Sequence, residues 1–118
     1  MKECIGQKPR VPYSAAVKAG GFIFVSGQLP TDANGAVQGG IREQTALCLD
    51  KVKAILEEAG SSMDKVVKTT VYITDKADFA AMNEVYVQYF PENRPSRACV
   101  VAGLVIDAKI EIEAVALQ

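Results

Sequence analysis

The sequence predicts an α+β sandwich in which one β-sheet carries two helices on a single face. Two observations support this fold class. Short apolar and β-branched segments with the pattern of strands are interspersed with two longer segments whose apolar residues recur at spacings of three and four. These segments follow the order strands, helix, strand, helix, two strands, without repeats, linkers or low-complexity tracts. We therefore expect one domain over residues 1–118.

The first forty residues are predicted to form three strands after an irregular lead-in over residues 1–11. A short strand starts at Pro12 and runs through Lys18, and Gly20-Gly21 turns the chain back. The compact apolar strand Phe22–Ser26 follows, with the pattern of a buried strand. After a turn-rich stretch, a short edge strand is expected near Ala36–Gln38.

The middle of the chain alternates helix and strand. Apolar positions from Ile41 to Ala59 predict an amphipathic helix of about five turns, which Gly60 ends. The β-branched residues 66–74 predict a strand. Asp75 and Asp78 give a capping signal for a second helix, which prolines at 91 and 95 close. Its apolar stripe is predicted to contain Phe79, Met82, Tyr86 and Tyr89 or Phe90.

The last stretch, residues 94–117, predicts two strands joined by a turn near Asp107. Side chains alternate between the two faces of a sheet, so paired strands would hold Arg97 and Glu111 near each other on one face. A cation beside a carboxylate, framed by β-branched residues, is the best candidate site in the sequence. The alternative is a solvated strand face, with Arg97 as an ordinary charge at a strand end.

The absence of histidine restricts the chemistry that this chain can perform. Ser-His-Asp and Cys-His catalysis are excluded, as are imidazole metal sites. Cys4, Cys48 and Cys99 are an odd set without metal-binding spacing, so neither a disulfide framework nor a zinc site is indicated. We expect no metal and no cofactor. Any chemistry must use arginine, carboxylates, hydroxyls, backbone groups and water.

Charge and hydropathy indicate the compartment and the class of partner. The net charge of −1, from 13 basic and 14 acidic residues, argues against a general nucleic-acid or membrane-surface binder. The N-terminal residues lack the apolar core of a signal peptide, and the longest apolar run, Ala98–Ile106, is too short to cross a bilayer. A cytoplasmic protein that binds neither membranes nor nucleic acids is expected.

Two helices cover only one face of the predicted sheet, and the other face would remain apolar. So much apolar surface is best buried in a symmetric homo-oligomer. A site on that face, including Arg97 and Glu111, would then lie between subunits. The residues expected there are Phe22 and Phe24 or Ile23 and Val25, one of Val66 and Val67, and Val101, Val115 and Leu117.

Five motifs spread over nearly the whole chain resemble the RidA (reactive intermediate deaminase, also called YjgF) family. They are Pro12-Tyr13-Ser14, Val25-Ser26-Gly27-Gln28, Asp78-Phe79 with Met82-Asn83, Pro95 to Val100, and Ile110 to Ala114. The resemblance implies a chorismate-mutase-like fold with a mixed sheet, and a homotrimer with a cleft at each subunit interface. It also implies cofactor-free hydrolysis of 2-imino acids, such as 2-iminobutanoate and 2-iminopropanoate, and of their enamine tautomers. The products are 2-oxo acids and ammonia, and the role is metabolite damage control.

The resemblance further implies roles for individual residues. Arg97 would bind the substrate carboxylate, because a guanidinium matches a carboxylate bidentately. Glu111 would position the attacking water, helped by the backbone of Cys99, whereas Glu113 is assigned to structure. The cleft would be lined, from more than one subunit, by Tyr13, Ser26, Gly27 and Asn83.

The sequence departs from the family pattern in two places. The segment from Arg97 to Glu111 is one residue shorter than usual, with Val105-Ile106 in place of a common Leu-Pro. Arg10-Val11 also stands where glycine is typical. The first departure affects how Glu111 is aimed, and the second affects the cleft wall near Tyr13.

Two other functions are compatible with the sequence to different degrees. A non-catalytic module could use the same arginine to bind 2-oxo acids or similar carboxylates, since a binder needs only the cation. Ribonuclease or translation-inhibiting activity, attached to some relatives, fits poorly with the near-neutral charge and the lack of histidine.

Overall fold

A computed structural model describes all 118 residues as a six-stranded mixed β-sheet with two α-helices on one face. The helices are α1 (Ile41–Glu58) and α2 (Phe79–Tyr89), and 3₁₀ turns lie at Met63–Lys65 and Lys76–Asp78. The predicted α+β fold class is confirmed. The strands are β1 (Glu3–Ile5), β2 (Ala16–Ala19), β3 (Phe22–Gln28), β4 (Val66–Ile73), β5 (Ser96–Val101) and β6 (Ile110–Leu117).

Both helices follow the predicted apolar periodicity. In α1, Cys48, Leu49, Val52 and Leu56 are fully buried against the sheet, and the helix ends before Gly60, whose φ of 84° is readily adopted by glycine. The start of α2 uses only one of the two expected caps. Asp75 accepts a hydrogen bond from the backbone N–H of Ala77, whereas Asp78 makes no capping bond.

The sheet order is β1-β2-β3-β6-β4-β5, so the predicted terminal hairpin is wrong. β5 pairs in parallel with β4, and β6 lies antiparallel between β3 and β4. Alternate residues of β6 are almost completely buried, from Ile110 to Ala116, which suits a central strand. β5 buries little and forms the edge. The eight residues 102–109 cross β4 instead of making a tight turn.

Three smaller expectations near the N-terminus are corrected. The lead-in is not irregular throughout, because β1 pairs with β2. Tyr13 and Ser14 precede β2 instead of starting it. No sheet strand forms at 36–38, where a single bridge joins Thr31 and Val37. The Asp32 side chain accepts hydrogen bonds from two backbone N–H groups there, and donors used in this way are not available to a strand ladder.

The sheet face away from the helices carries an apolar surface, as predicted. Ile23 and Val25 point into the core, which leaves Phe22 and Phe24 on the open face, 39% and 47% exposed. Val101 was expected on this face but pairs with Ile73 on the helix side, so Val100 takes its place. Neither helix is long and apolar enough to cross a membrane.

Candidate functional site

Arg97 lies on the edge strand β5, on the sheet side that faces α2. Its guanidinium donates a hydrogen bond from Nη1 to Asn83 Oδ1 at 2.8 Å. Its carbon Cζ lies 4.7 Å from the ring centroid of Tyr86 and 5.6 Å from that of Phe79. These three partners come from one face of α2, at helical spacings of four and three. The helix therefore fixes the position and the plane of the guanidinium.

Tyr86 is itself held rigidly beneath Arg97. Its hydroxyl shares a 2.7 Å hydrogen bond with Thr69 Oγ1 on β4, and both residues are buried. Burial raises the pKa of the Tyr86 hydroxyl, while the bond to Thr69 and the charge of Arg97 act against that shift. The ring is thus a neutral π surface for the cation.

Arg97 lines a cavity without acidic groups. The Nε and Nη2 groups have no hydrogen-bond partner in the chain, and the two ion pairs of the protein involve other residues. These two groups form the edge that presents two parallel donors to a carboxylate. The cavity has a volume of about 310 Å³ and is lined by Asn83, Tyr86, Val87, Arg94, Pro95 and Arg97. Its chemistry suits an anion.

Cys99 lies two residues after Arg97 on the same face of β5 and is partly buried. Burial raises the pKa of its thiol, and the nearby Arg97 only partly opposes that shift. A raised pKa keeps the sulfur protonated and weakly nucleophilic at neutral pH. The side chain therefore acts as a small packing group.

Glu111 lies on β6 with its carboxylate against the backbone of Gly27. A side chain at Gly27 would overlap the Glu111 carboxylate, so glycine is required for this approach. The pairing of β3 with β6 is irregular at this point, between Val25 and Gln28. The Glu111 carboxylate has no hydrogen-bond or ion-pair partner in the chain. Its pKa is raised, first by burial and then by the charge of Glu113.

Ser26 precedes Gly27 in β3, Tyr13 lies in the segment before β2, and the two hydroxyl groups differ in whether they have a hydrogen-bond partner. The Ser26 hydroxyl donates a 2.6 Å hydrogen bond to the backbone carbonyl of Ser14, and so fastens the segment before β2 to β3. Tyr13, at the start of that segment, is 60% exposed and its hydroxyl has no partner. The serine thus positions the segment, and the tyrosine is free to contact a ligand.

Arg97 and Glu111 do not share a sheet face, so that prediction is wrong. In the observed register Arg97 is level with Thr69, whereas Glu111 is level with Tyr72, three residues further along β4. An odd number of steps places the two side chains on opposite faces. Their Cα atoms are two strand spacings apart across the sheet and three residues apart along the strands, which together give a separation of about 14 Å. One chain cannot bring both groups to one small substrate.

The predicted site residues therefore form two groups. The arginine group contains Arg97, Asn83 and Cys99, beside α2 at one edge of the sheet. The carboxylate group lies on the other side of the sheet and contains Glu111, Gly27, Ser26 and Tyr13.

The sequence analysis missed three residues around Arg97. Phe79 and Tyr86 were interpreted as part of an apolar core stripe, and Arg94 was not singled out. The missed signal is spacing, because Phe79, Asn83 and Tyr86 recur at helical intervals with a polar residue between two aromatic ones. Their contact with Arg97 depends on the parallel pairing of β5, which the sequence did not indicate.

Comparison with known proteins identifies the family. A sequence profile described as endoribonuclease L-PSP matches residues 5–118. The chain belongs to the RidA (YjgF) family. The resemblance found from the five motifs is thereby confirmed.

Relatives in this family carry several functional names. A RutC family protein of Pyrococcus abyssi is 54% identical over 114 residues, covering 94% of this chain and 90% of the relative. A Thermotoga maritima crystal structure that carries an endoribonuclease name has 43% identity and a TM-score of 0.93, covering 100% and 98% of the two chains. TdcF of Escherichia coli carries a reactive intermediate deaminase name. Its crystal structure with bound serine has 42% identity and a TM-score of 0.86, covering 98% and 93%.

Proposed function

We propose that this protein hydrolyses 2-imino acids and their enamine tautomers to 2-oxo acids and ammonia, without a cofactor. The observation that carries the proposal is the Arg97 guanidinium, which is fixed by α2, keeps two donor groups unpaired and belongs to a residue that lines a cavity free of acidic groups. A 2-imino acid is a small carboxylate with an electrophilic carbon next to it. Binding at Arg97 would orient that carbon for attack.

Glu111 is the base that we assign to the attacking water. Water adds its oxygen to C2 of the imine, and Glu111 takes a proton from the water and passes it to the imine nitrogen, which gives a carbinolamine. Glu111 then takes the hydroxyl proton and returns it to the nitrogen, so that the C=O bond forms, the C–N bond breaks and ammonia leaves. One water is consumed and no electrons are exchanged. The raised pKa of Glu111 makes the carboxylate a stronger base than an ordinary glutamate.

The two groups of site residues are proposed to meet between subunits of a homotrimer. Within one chain Arg97 and Glu111 lie on opposite faces of the sheet. The open face exposes Phe22, Phe24 and Leu117, and burying such a surface favours association. In this arrangement one subunit supplies Arg97 and Asn83, and its neighbour supplies Glu111.

Names and ligands of relatives agree with this assignment at a coarse level. TdcF carries a deaminase name, and one of its structures holds serine, an amino acid whose carboxylate is of the kind that Arg97 would bind. We place the protein in the cytoplasm because its three cysteines are free, as is usual in a reducing compartment.

The test of this proposal is Arg97→Ala. We expect the variant to lose imine hydrolysis while keeping its fold and assembly. Loss of a charge-assisted bidentate contact costs on the order of 2–5 kcal/mol, which is at least a tens-fold loss in kcat/KM. Hydrolysis of freshly generated 2-iminobutanoate gives kcat/KM, and calorimetric titration with 2-oxobutanoate gives affinity.

Two further variants sharpen the result. Arg97→Lys should recover only part of the activity, because an ammonium cannot present a planar fork. Glu111→Gln should lower kcat more than it weakens 2-oxobutanoate binding, because it keeps the shape and removes the base. If Arg97→Ala bound the acid normally and hydrolysed the imine at the parent rate, Arg97 would be an ordinary charge at a strand end.

A carboxylate-binding module is the second candidate function. The observation that favours it is the separation of Arg97 from Glu111 within one chain, since binding needs only the arginine group. Such a protein would bind 2-oxobutanoate through Arg97 and show no turnover. The assays described above separate the two functions.

A further inference from the structure

A second arginine shares the cavity with Arg97. Arg94 lies in the turn between α2 and β5, and its side chain forms part of the same cavity wall. No aspartate or glutamate lines this cavity, and neither arginine takes part in an ion pair. Two arginines without an ion pair therefore line a volume of about 310 Å³ in a chain whose net charge is −1.

The Arg94 side chain is oriented by the end of α2. Its Nε donates to the carbonyl of Phe90 at 3.0 Å, and its Nη2 donates to the carbonyl of Pro91 at 3.3 Å. These bonds satisfy carbonyls beyond the last turn of the helix, which is a structural role. The remaining amino group, Nη1, has no partner in the chain. Arg94 thus keeps an unused donor and a full charge, on a guanidinium that is already positioned.

We infer that the cavity accepts substrates with two acidic groups, namely 2-imino dicarboxylates of the size of 2-iminoglutarate. Arg97 binds the carboxylate next to the imine carbon, and Arg94 binds the carboxylate at the far end. A substrate of three or four carbons with one carboxylate leaves Arg94 without a partner. The far carboxylate gains a charge-assisted hydrogen bond only if a cation lies within its reach. Arg94 is that cation, so it determines whether a second carboxylate is preferred at the far end of the substrate.

This inference rests on the proposed function for its reaction but not for its binding step. Titration with 2-oxoglutarate and with 2-oxobutanoate measures the two acids without any turnover. We expect the parent protein to bind 2-oxoglutarate at least tenfold more tightly than 2-oxobutanoate. Raising the salt concentration should narrow that ratio, because the additional contact is between charges.

The decisive variant is Arg94→Gln, whose amide can still donate a hydrogen bond to a carbonyl at the end of α2. We expect the affinity ratio of 2-oxoglutarate to 2-oxobutanoate to fall at least tenfold. The ratio of kcat/KM for 2-iminoglutarate to that for 2-iminobutanoate should fall with it. Arg94→Lys is the second variant, which keeps the charge and should preserve most of the ratio even if the turn is disturbed.

The matched control is Arg42→Gln, which removes an exposed arginine on α1 that is paired with Glu84. Both ratios should remain at the parent value in this variant. Equal affinity of the parent for the two acids, or unchanged ratios in Arg94→Gln, would overturn the inference. If no imine were hydrolysed but 2-oxoglutarate still bound through Arg94, the proposed function would fail and the dicarboxylate site would stand.

Discussion

At the scale of single residues, Glu111 shows how its surroundings shift the pKa of a carboxyl group. Burial is the larger cause of its raised pKa, and the negative charge of Glu113, two residues away on the same face, is the second. Glu113 is held in place by a 2.9 Å hydrogen bond from the Tyr72 hydroxyl. Burial raises the pKa of the Cys48 thiol on α1 to about 12, so this thiol stays neutral and adds no negative charge near Glu111. Glu113, which the sequence analysis assigned to structure, thus also affects the base.

We predict that Glu113→Gln shifts the acid limb of the pH–rate profile to lower pH. Glu111 works as a base only when ionised, so activity is lost as pH falls through its raised pKa. Removing the neighbouring charge lowers that pKa, and activity then persists to a lower pH. The profile of kcat/KM for 2-iminobutanoate measures the shift. Glu57→Gln, on the exposed surface of α1, is the control, and an equal shift in both variants would contradict the role of Glu113.

At the scale of secondary structure elements, α2 acts as the support of the arginine group. Asn83 fixes one amino group of Arg97, and the rings of Phe79 and Tyr86 lie near its guanidinium. The bond from Tyr86 to Thr69 ties the same helix to the central strand β4. The position of the Arg97 guanidinium, and of the carboxylate that we propose it binds, therefore depends on the packing of a helix against the sheet.

We predict that two substitutions at Tyr86 separate its ring from its hydroxyl. Tyr86→Phe keeps the π surface but leaves the buried Thr69 hydroxyl unpaired, which should lower the free energy of unfolding by about 1–3 kcal/mol. KM should change little. Tyr86→Leu removes the π surface and should raise KM at least tenfold. Urea unfolding and steady-state kinetics measure the two effects, and equal KM values for both variants would refute the contribution of the ring.

At the scale of the whole molecule, the proposed reaction depends on assembly, because Arg97 and Glu111 lie on opposite faces of one chain. The apolar open face is a surface that association could bury. We predict a trimer in light scattering on a size-exclusion column. A monomer that persisted at micromolar concentration would contradict both the assembly and the site between subunits.

Mixed assemblies test directly whether Arg97 and Glu111 of one cleft come from different subunits. Arg97→Ala and Glu111→Gln should each have much lower activity than the parent when assembled alone. When the two are unfolded together and refolded, about one quarter of the clefts should pair an intact Arg97 with an intact Glu111 from the neighbour. Activity should therefore return to roughly that fraction of the parent. No recovery in verified mixed trimers would mean that both residues act from the same chain.

The sequence by itself determined the two helices, the strands that bury alternate residues, and the residue types of the site. These features follow from local periodicity, from capping and turn residues, and from five short motifs, all of which can be read from neighbouring positions. Only the tertiary structure decided which strands pair. β5 lies beside β4 in parallel, and β6 lies between β3 and β4, because burial over the whole sheet places the most apolar strand at its centre. That choice moved Arg97 and Glu111 to opposite faces and brought Tyr86 and Phe79 to Arg97. A strand pattern fixes the alternation of side chains along one strand, but it contains no information about the neighbouring strand.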